Sequence, residues 1–559
     1  MAECVRCVPG ARRPAVGALA NGRGSRFNER RRSQSWEAPV EAVVPSDAGA
    51  PAIRCAGQER GYPAFLERAA RIATGLRAAG VGPGDRIAVV LRNEPAHLEI
   101  TAGAALLGAC AVPVNWHFKQ DELRHVLTDS GSKVVFAHTD LIEAVGAVLP
   151  EGVRIVEAAV PAGLAAACGL AAPPPTGAHP LLDDWLAGWE PLAQPAAERP
   201  PTVIYSSGTT GRPKGVLREP VPADRLASAV ERFLEYFAVA PGGRTLIPAP
   251  LYHASPSQHA VLALAAGLDI TLMPRFDAEE FLRLIEHHRI EQVQVVPTMF
   301  VRLLRLPKEV RERYDLSSLT SVVHAAAPCP PHIKHAMIDW LGPVLREYYG
   351  GSETGAVTWC DSAEWLAHPG TVGRASGTGA VEVLGPDGRP LPAGTTGDIY
   401  LKPADEWPQF TYLGDPDKRA AMEAPGLPGY VTIGDIGHLD EDGFLYLSDR
   451  RHDMVISGGV NIYPAEIEGA LLALDGVRDA AVFGIPDEEF GEVLAAHLET
   501  EAGVHLGAAA VRAHVAERLA GYKVPRAVVF EQRLPRDESG KLFKRRLRDP
   551  YWAGRDGTI

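Results

Sequence analysis

The sequence predicts an α/β fold in which a large N-terminal domain precedes a smaller α+β C-terminal domain. Between about residues 50 and 350, segments with helical apolar spacing alternate with short apolar runs, as expected for parallel sheets covered by helices. From about Ala380 the pattern changes to short strands separated by Gly, Pro and Asp turns, which predicts a small barrel-like subdomain. The charged run Ser448–Asp453 then precedes a unit of roughly 100 residues, a size at which a mobile domain can fold alone.

Length, charge and composition exclude several classes of protein. At 559 residues the chain is too long for a single hydrophobic core. Its net charge of −13 offers no general attraction for nucleic acid, so no nucleic-acid partner is expected. No integral membrane segment is predicted, because the uncharged stretch Ala158–Leu182 is broken by five prolines and is interpreted as a linker or loop. Seven scattered cysteines indicate a reduced, cytoplasmic protein, whose oligomeric state the sequence leaves undetermined.

Three regions follow from these changes in composition. Residues 1–45 are rich in arginine, lack apolar periodicity and contain no apolar segment typical of a secretory signal, so they predict either a disordered leader or an over-long assigned start of the chain. Residues 46–449 form the predicted N-terminal domain, and residues 450–559 form the predicted C-terminal domain.

The first half of the N-terminal domain alternates helices and strands. The predicted helix Tyr62–Ala79 has its apolar residues on one face and ends before Gly80, a residue suited to the left-handed position that follows a helix. The elements predicted after it are the strand Ile87–Leu91, the helix Pro95–Gly108, the strand Ala111–Val114, the helix Gln120–Ser130 and the strand Lys133–Ala137.

The same alternation continues to the middle of the chain and returns in the C-terminal domain. The predicted elements are the strand Thr202–Tyr205, helices Asp224–Ala238 and Gln258–Ala266, the strand Asp269–Met273, the helix Ala278–His288, strands Gln292–Val296 and Ser321–Ala325, the helix Pro331–Leu341 and the strand Leu345–Tyr348. The C-terminal domain is predicted to contain a helix that begins near Pro464, strands Ala480–Ile485 and Val493–Leu498, the helix Ala508–Leu519 and the strand Ala527–Phe530.

A loop rich in glycine and hydroxyl residues follows the strand Thr202–Tyr205. Its glycines let backbone N–H groups approach an anion, its hydroxyls can donate to phosphate oxygens, and Lys214 adds a positive charge. The spacing is not that of a Walker A loop, in which Gly-Lys-Ser/Thr opens a helix. The alternative to a polyphosphate-binding loop is an ordinary surface turn. The candidate phosphate-binding residues are Ser206, Ser207, Gly208, Thr209, Thr210, Gly211 and Lys214.

Four further segments follow this loop in chain order: Ala326-Ala327-Pro328, Tyr349-Gly350-Gly351-Ser352-Glu353, Gly434-Asp435 with Arg450, and Pro535–Leu542. Together the five segments resemble the motifs of the adenylate-forming (ANL) superfamily, which includes acyl-CoA synthetases, luciferases and nonribosomal adenylation domains. The resemblance extends over about residues 50–550. It departs from the family pattern at Ser352 and at Ile433, where the family commonly has threonine.

The resemblance implies a role for each segment, with ATP, Mg²⁺ and coenzyme A as cofactor and co-substrates. Lys541 is the implied catalytic lysine, Glu353 and Ser206 are the implied metal ligands, and His452 stands at the hinge, where the family has Asp or Lys. Beyond the phosphate loop, the implied nucleotide-binding residues are Ala326, Ala327, Pro328, Tyr349 (against adenine), Gly350, Ser352, Asp435 (on the ribose) and Arg450. The implied coenzyme A site comprises Ser457, Gly458 and Gly459.

By the same resemblance, the expected reaction activates a carboxylic acid as acyl-AMP and transfers it to coenzyme A. His253, Phe300 and Gly351 are the candidate acyl-pocket residues, and the lack of an acid beside His253 argues against an α-amino acid. The apolar surroundings favour a medium or long-chain fatty acid or another bulky apolar acid, as in the bacterial fatty-acyl-CoA synthetases that the chain resembles. Two alternatives stay open: an acyl-AMP ligase that loads a separate carrier protein, and a degenerate, non-enzymatic nucleotide-binding member.

Overall fold

The computed structural model describes most of the chain. The described residues are 51–171, 173–196, 200–207, 213–327, 329–405, 407–450, 453–457, 460–487, 490–519, 521–537 and 540–553. The predicted leader, residues 1–45, lies outside them, as do the candidate site residues Gly208, Thr209, Thr210, Gly211, Pro328, His452, Gly458 and Gly459.

The described residues of the N-terminal domain form strands β1 to β20. They are β1 (Ala52–Cys55), β2 (Gln58–Gly61), β3 (Arg86–Val90), β4 (Cys110–Pro113), β5 (Val134–His138), β6 (Arg154–Ala158), β7 (Thr202–Ser207), β8 (Pro213–Arg218), β9 (Arg244–Ile247), β10 (Asp269–Leu272), β11 (Gln292–Val295), β12 (Ser321–His324), β13 (Leu345–Gly351), β14 (Gly355–Asp361), β15 (Arg374–Ala375), β16 (Ala380–Leu384), β17 (Gly397–Lys402), β18 (Phe410–Tyr412), β19 (Asp435–Leu439) and β20 (Leu445–Arg450).

Helices connect most of the parallel strands. They are α1 (Tyr62–Ala78), α2 (Pro95–Leu106), α3 (Gln120–Ser130), α4 (Ile142–Gly146), α5 (Ala162–Cys168), α6 (Leu182–Ala187), α7 (Ala223–Tyr236), α8 (Ala254–Ala265), α9 (Ala278–His288), α10 (Pro297–Leu304), α11 (Lys308–Arg311), α12 (Pro331–Leu341), α13 (Ser362–Ala367) and α14 (Pro416–Ala420). None of the helices in the described stretches combines the length and the apolar character that crossing a bilayer requires.

A nine-stranded mixed sheet, called the large sheet below, is the centre of the N-terminal domain. Its strand order is β15-β14-β13-β12-β11-β9-β10-β1-β2, and the six strands from β13 to β1 are parallel. Successive residues of a strand face opposite sides of a sheet. Val322 therefore packs with α9, α10 and α12 on one face, whereas Val323 packs with α1, α7 and α8 on the other.

A second, four-stranded parallel sheet has the order β4-β3-β5-β6. Helices α1, α2 and α6 cover one of its faces, and α3 and α4 cover the other. Helix α1 packs on both the large sheet and the second sheet. Phe65 is buried in the core of the large sheet, and Ile72 is buried in the core of the second sheet. The predicted α/β architecture with parallel sheets is therefore confirmed.

Two small antiparallel sheets complete the N-terminal domain. Strands β16-β17-β19-β20 form one sheet, in the region where the sequence predicts a barrel-like subdomain. Strands β18-β8-β7 form the other, in which β7 and β8 flank the predicted phosphate loop. Residues distant in sequence thereby support this loop, since β18 follows β8 by almost two hundred positions.

The C-terminal domain is a smaller α+β unit, as predicted. Its strands are β21 (Val455–Ser457), β22 (Val460–Ile462), β23 (Val477–Asp487), β24 (Gly491–Thr500) and β25 (Ala527–Glu531), and its helices are α15 (Pro464–Leu472), α16 (Ala508–Arg518) and α17 (Lys544–Trp552). The strand order is β22-β21-β24-β23, with β25 parallel to β24. Ile467 of α15 and Val511 of α16 are buried in the core that covers this sheet.

The interpretation of Ala158–Leu182 as a linker is wrong in part. Helix α5 lies inside this stretch, and Leu164 is fully buried against Val160. A Cβ atom added at Gly163 would lie 2.0 Å from the carbonyl oxygen of Ala56, so α5 packs directly on the turn that follows β1. Small residues make this contact, and they give little of the apolar periodicity that identifies a helix in sequence.

The close approach of α1 and α2 provides a test of this packing. In Gly103→Ala, the new Cβ atom would lie 2.6 Å from Ile72 and 2.8 Å from the carbonyl oxygen of Ala69. We expect a loss of about 1–3 kcal/mol in the free energy of unfolding, the usual cost of overpacking. Gly146→Ala is the matched control, because no atom lies within 4 Å of its added Cβ. Denaturant unfolding curves measure both variants, and an equal effect of the two would contradict this packing.

Candidate active site

The strands on either side of the phosphate loop form a tightly held antiparallel ribbon. In its register Ser206 is opposite Lys214, so the two ends of the loop are brought together. The Tyr205 hydroxyl donates to Asp129 Oδ2 at 2.6 Å and so ties the ribbon to α3. Burial and the neighbouring Asp129 carboxylate raise the pKa of Tyr205, which keeps this hydroxyl protonated as a donor.

The predicted adenine and ribose residues are in direct contact. Tyr349 ends the buried part of β13, and its hydroxyl donates to Asp435 Oδ2 at 2.7 Å. Both residues are less than one-tenth exposed. In the ladder between β19 and β20, Asp435 is paired with Arg450, another predicted nucleotide residue. The structure thus gathers Tyr349, Asp435 and the backbone of Arg450 at one place, although 86 positions separate the first two.

Glu353, the predicted metal ligand, is positioned by residues that the sequence motifs do not contain. The Tyr412 hydroxyl donates to Glu353 Oε1 at 2.8 Å, and burial followed by the charge of Glu353 raises the pKa of Tyr412. The Arg218 guanidinium donates twice to the carbonyl oxygen of Ser352, at 3.0 and 2.7 Å. Trp407 lies against this guanidinium, with the Arg218 carbon 4.8 Å from the ring centroid.

Arg218 is a buried cation beside the predicted metal ligand. Burial lowers its pKa to about 10, and the nearby Glu353 carboxylate acts in the opposite direction. The guanidinium is still charged near neutral pH and can neutralise part of an anion bound there. Sequence inspection missed Arg218 and Tyr412, because their partnership comes from the pairing of β8 with β18 and not from any local pattern.

Two closely packed glycines follow Tyr349. A Cβ atom at Gly350 would lie 1.7 Å from the carbonyl oxygen of Gly355, so no side chain fits there. A Cβ atom at Gly351 would lie 3.0 Å from Glu353 Oε2 and 3.3 Å from Ile433. A larger residue at Gly351, predicted to line the acyl pocket, would therefore press on the Glu353 carboxylate as well.

The other two predicted acyl-pocket residues lie on different sides of the large sheet. His253 precedes α8 at its N-cap, and its ring is 4.5 Å from that of Tyr252. Phe300 is completely buried in α10, with its ring 5.2 Å from that of His324. Helices α8 and α10 cover opposite faces of the sheet, so a shared pocket would have to lie at the strand ends where the faces meet.

The loop that carries Lys541 is a closed turn. The Lys541 N–H donates to Asp537 Oδ1 at 2.9 Å, and the Asp537 N–H donates to the Lys541 carbonyl at 3.0 Å. Arg536 donates to the Gly540 carbonyl at 2.6 Å and holds Asp479 of β23 through both carboxylate oxygens. Arg536, which the motif comparison did not single out, thus fixes the turn to the C-terminal sheet.

This turn lies against the N-terminal domain at α10. A Cβ atom at Gly540 would lie 2.2 Å from Thr298 Oγ1, in the first turn of α10. At the other end of the same helix, Arg305 donates to the carbonyl oxygen of Arg478 at 2.9 Å. Ser457, the described residue of the predicted coenzyme A segment, lies in β21 and pairs with Gly491.

Comparison with known proteins matches two parts of the chain to family models. The family model "AMP-binding enzyme" matches residues 40–404, and the model "AMP-binding enzyme C-terminal domain" matches residues 466–541. The chain belongs to the AMP-binding enzyme family. The predicted membership of the adenylate-forming superfamily is therefore confirmed.

Curated relatives of this AMP-binding enzyme include feruloyl-CoA synthase from an Amycolatopsis species, 34% identical over 89% of this chain and 95% of the relative. The long-chain-fatty-acid–CoA ligase FadD13 of Mycobacterium tuberculosis is 31% identical over 88% and 93%. The fatty acid–[acyl-carrier-protein] ligase ScoC of Streptomyces coeruleorubidus is 31% identical over 90% and 94%. Among solved structures, ATP-bound MatB from Rhodopseudomonas palustris superposes with a TM-score of 0.78 and 28% identity, covering 91% of this chain and 97% of that one.

The predicted enzyme class is confirmed as an AMP-forming acyl-CoA synthetase, for which ATP, Mg²⁺ and coenzyme A are cofactor and co-substrates. The described residues fit magnesium. They contain no cluster of three His, Cys, Asp or Glu side chains, but Mg²⁺ bound with ATP needs only one or two carboxylates besides phosphate oxygens and water. Glu353 is such a carboxylate, and only its Oε1 is engaged by Tyr412.

Removing the charge of Glu353 should slow adenylation without unfolding the protein. We expect Glu353→Gln to lower kcat for magnesium-dependent pyrophosphate release ~30- to 1,000-fold, equivalent to about 2–4 kcal/mol of transition-state stabilisation. Tyr412→Phe keeps the charge, loses the bond of 2.8 Å and should have a smaller effect. Glu423→Gln, at an exposed carboxylate, is the control. Wild-type rates for Glu353→Gln at limiting magnesium would remove Glu353 from the site.

Proposed function

We propose that this enzyme converts a medium or long-chain fatty acid, or another bulky and mainly apolar acid, into its coenzyme A thioester. One observation carries the proposal. The Tyr349–Asp435 hydrogen bond and Glu353 adjoin the end of β13, and the Lys541 turn packs on α10, which follows the end of β11. The carboxyl ends of parallel strands are the usual ligand-binding edge of an open α/β sheet.

In the first half-reaction, a carboxylate oxygen of the acid attacks the α-phosphorus of ATP. The bond from that phosphorus to the bridging oxygen breaks, and pyrophosphate leaves with the electron pair. A carboxylate is a weak nucleophile toward a polyanion, so catalysis depends on positioning and charge neutralisation. We assign charge neutralisation to Lys541, Lys214 and the buried Arg218, and magnesium bound at Glu353 would supply further positive charge to the phosphates.

In the second half-reaction, the coenzyme A thiol attacks the acyl carbonyl carbon, the thiol proton is lost to solvent, and AMP leaves. Lys541 is not required for this step. We propose that the C-terminal domain then moves as a unit, pivoting at His452, and turns the segment Ser457–Gly459 toward the active site. The contacts of α10 with Gly540, through Thr298, and with Arg478, through Arg305, are among those that such a movement would break.

A carrier protein is the second candidate for the acyl acceptor. The relative ScoC is named for transfer to an acyl carrier protein, and it is as similar to this chain as FadD13 is. Both acceptors present the same thiol on a phosphopantetheine arm. The first half-reaction would be identical, so only the acceptor distinguishes the two functions.

A panel of acids tests the proposed reaction and its acceptor. Pyrophosphate and AMP release are measured for acetate, octanoate, palmitate, cyclohexanepropanoate and ferulate, with coenzyme A or with a pantetheinylated carrier protein. We expect the bulky acids to exceed acetate in kcat/KM, since each buried methylene adds about 0.8 kcal/mol, and AMP release to depend on coenzyme A. Acetate as the best substrate would refute the substrate class, and turnover with the carrier alone would establish the second candidate.

Lys541→Ala separates the two half-reactions. We expect adenylation to fall by at least about a hundredfold, because a positioned charge at the reacting phosphate is lost, while thioester formation from supplied acyl-adenylate stays within about threefold of wild type. Lys544→Ala is the matched control, since Lys544 is held by Glu468 at 2.8 Å. Equal loss of both half-reactions in folded Lys541→Ala would contradict the assignment.

A further inference from the structure

Three polar side chains form a hydrogen-bonded trio where the sequence predicts apolar pocket walls. Ser255 Oγ and the Tyr348 hydroxyl are 2.5 Å apart. The Gln294 amide nitrogen donates to Ser255 Oγ at 2.5 Å and to the Tyr348 hydroxyl at 2.9 Å. These residues, called the polar trio below, come from α8, β11 and β13.

The polar trio lies at the edge of the large sheet that the proposed site uses. Tyr348 immediately precedes Tyr349, Ser255 follows His253 by two positions, and Gln294 is the penultimate residue of β11. Strands β11 and β13 are both parallel to β12, which lies between them, so their carboxyl ends share one edge of the sheet. The trio therefore joins the segments that adjoin the predicted acyl pocket.

A buried histidine, on the side of Gln294 away from the two hydroxyls, determines the orientation of the Gln294 amide. His259 Nδ1 lies 3.1 Å from Gln294 Oε1, and burial lowers the pKa of His259 to about 4. The imidazole is therefore neutral at pH 7 and carries one N–H. When this N–H is at Nδ1 it donates to the Gln294 oxygen, and the Gln294 nitrogen then faces the two hydroxyls.

The hydrogen bonds deeper in the sheet favour this tautomer. Thr245 Oγ1 lies 2.9 Å from His259 Nε2 and 2.6 Å from the amide oxygen of Gln292, yet it has only one proton to donate. The Gln292 nitrogen has no partner in that orientation. If the Gln292 amide is turned over, its nitrogen donates to Thr245, and Thr245 donates to His259. The protons of Gln292, Thr245, His259 and Gln294 then run in one direction along the chain, with one donor and one acceptor at each of its contacts.

A count of protons leaves one donor of the polar trio unused. Both N–H groups of Gln294 are committed to the hydroxyls of Ser255 and Tyr348. One of the two hydroxyl protons makes the bond between these residues, and the other has no acceptor among the described residues. Burial raises the pKa of Tyr348, so its proton is retained at neutral pH. Ser255 and Tyr348 are half-buried, so this unused O–H is accessible to an external acceptor that enters the site.

The position of this donor is rigid. The Tyr348 ring packs 5.0 Å from that of Trp359, which is itself stacked on Tyr236 at 4.6 Å. Gln294 is only 7% exposed and is fixed by His259, so it cannot rotate to take the remaining proton. A donor held in this way discriminates by geometry, because a ligand lacking the acceptor leaves a buried polar group unpaired.

We propose that the polar trio is a specificity subsite that donates a hydrogen bond to a carbonyl, hydroxyl or ether oxygen on the acyl chain. The inference rests on the proposed function, because it concerns the acid that is activated at the same edge of the sheet. The substrate class then becomes a bulky acid whose apolar body carries an oxygen substituent. A purely hydrocarbon acid fits the same pocket but leaves the donor without a partner.

Matched pairs of acids test the subsite. The first series is octanoate against its 4-, 5-, 6- and 7-oxo derivatives, and the second is cyclohexanepropanoate against its ring 4-oxo derivative. Members of a pair differ only by a carbonyl in place of a methylene, and kcat/KM for pyrophosphate release is measured for each. We expect at least one oxo acid to exceed its parent by about tenfold, the effect of one well-placed hydrogen bond.

Substitutions in the polar trio test whether it causes the preference for oxo acids over their parent acids. In Tyr348→Phe and Ser255→Ala the oxo-to-parent ratio should fall to about one, chiefly because kcat/KM for the oxo acid decreases. Tyr236→Phe is the matched control, since its ring belongs to the same stack but its hydroxyl lies outside the trio. If Tyr348→Phe does not fold, Ser255→Ala decides, because Ser255 is half-buried and loses only its hydroxyl.

The outcomes distinguish this inference from the proposed function. If acids are adenylated but no oxo acid exceeds its parent, or the ratio survives in both Ser255→Ala and Tyr348→Phe, the subsite is refuted and the proposed function stands. If no acid in either series releases pyrophosphate, the proposed function itself fails and the subsite fails with it. A ratio that is lost equally in Tyr236→Phe would also overturn the assignment to the trio.

Discussion

The hydrogen bond from the Tyr349 hydroxyl to the Asp435 carboxylate joins the large sheet to the antiparallel sheet of β16, β17, β19 and β20. Neither partner can satisfy its polar atoms with bulk water, since both are nearly fully buried. Burial strengthens this hydrogen bond, because little water competes for its donor and acceptor. The irregular register of β13 and β14 at Tyr349 and Gly350 turns the chain at this point, so that Glu353 follows within the same site.

Buried charge is concentrated around this junction, and each charge has a compensating group. Arg218 neutralises part of the charge of Glu353 and donates to the Ser352 carbonyl. Farther along β13, Lys334 and Glu347 form a buried ion pair at 2.5 Å. Such pairs are weak sources of stability but strongly disfavour alternative arrangements in which one partner is buried alone. They hold the end of β13 in one conformation, as a site that binds a polyanion requires.

The two domains are in contact at α10, a helix with apolar core residues in its middle and polar residues at its two ends. Helix α10 buries Phe300 in the large domain, while Thr298 and Arg305 contact the Lys541 turn and the strand region of Arg478. Asp537 closes the Lys541 turn and Arg536 joins it to Asp479, so the turn is attached to the sheet of the C-terminal domain. This attachment suits the role proposed for Lys541, which is needed in only one of the two half-reactions.

The sequence by itself determined the class of fold and the order of its elements, and it predicted the segments of the candidate site. Helices α3, α9 and α12 have the predicted bounds, because apolar periodicity and terminal signals are local properties. The tertiary structure alone decided which side chains support those segments. Tyr412 reaches Glu353 across 59 positions, Ser255 reaches Tyr348 across 93, and Arg218 reaches Ser352 across 134. Sheet order creates these contacts, and no local pattern in a single sequence specifies which distant strands will be neighbours.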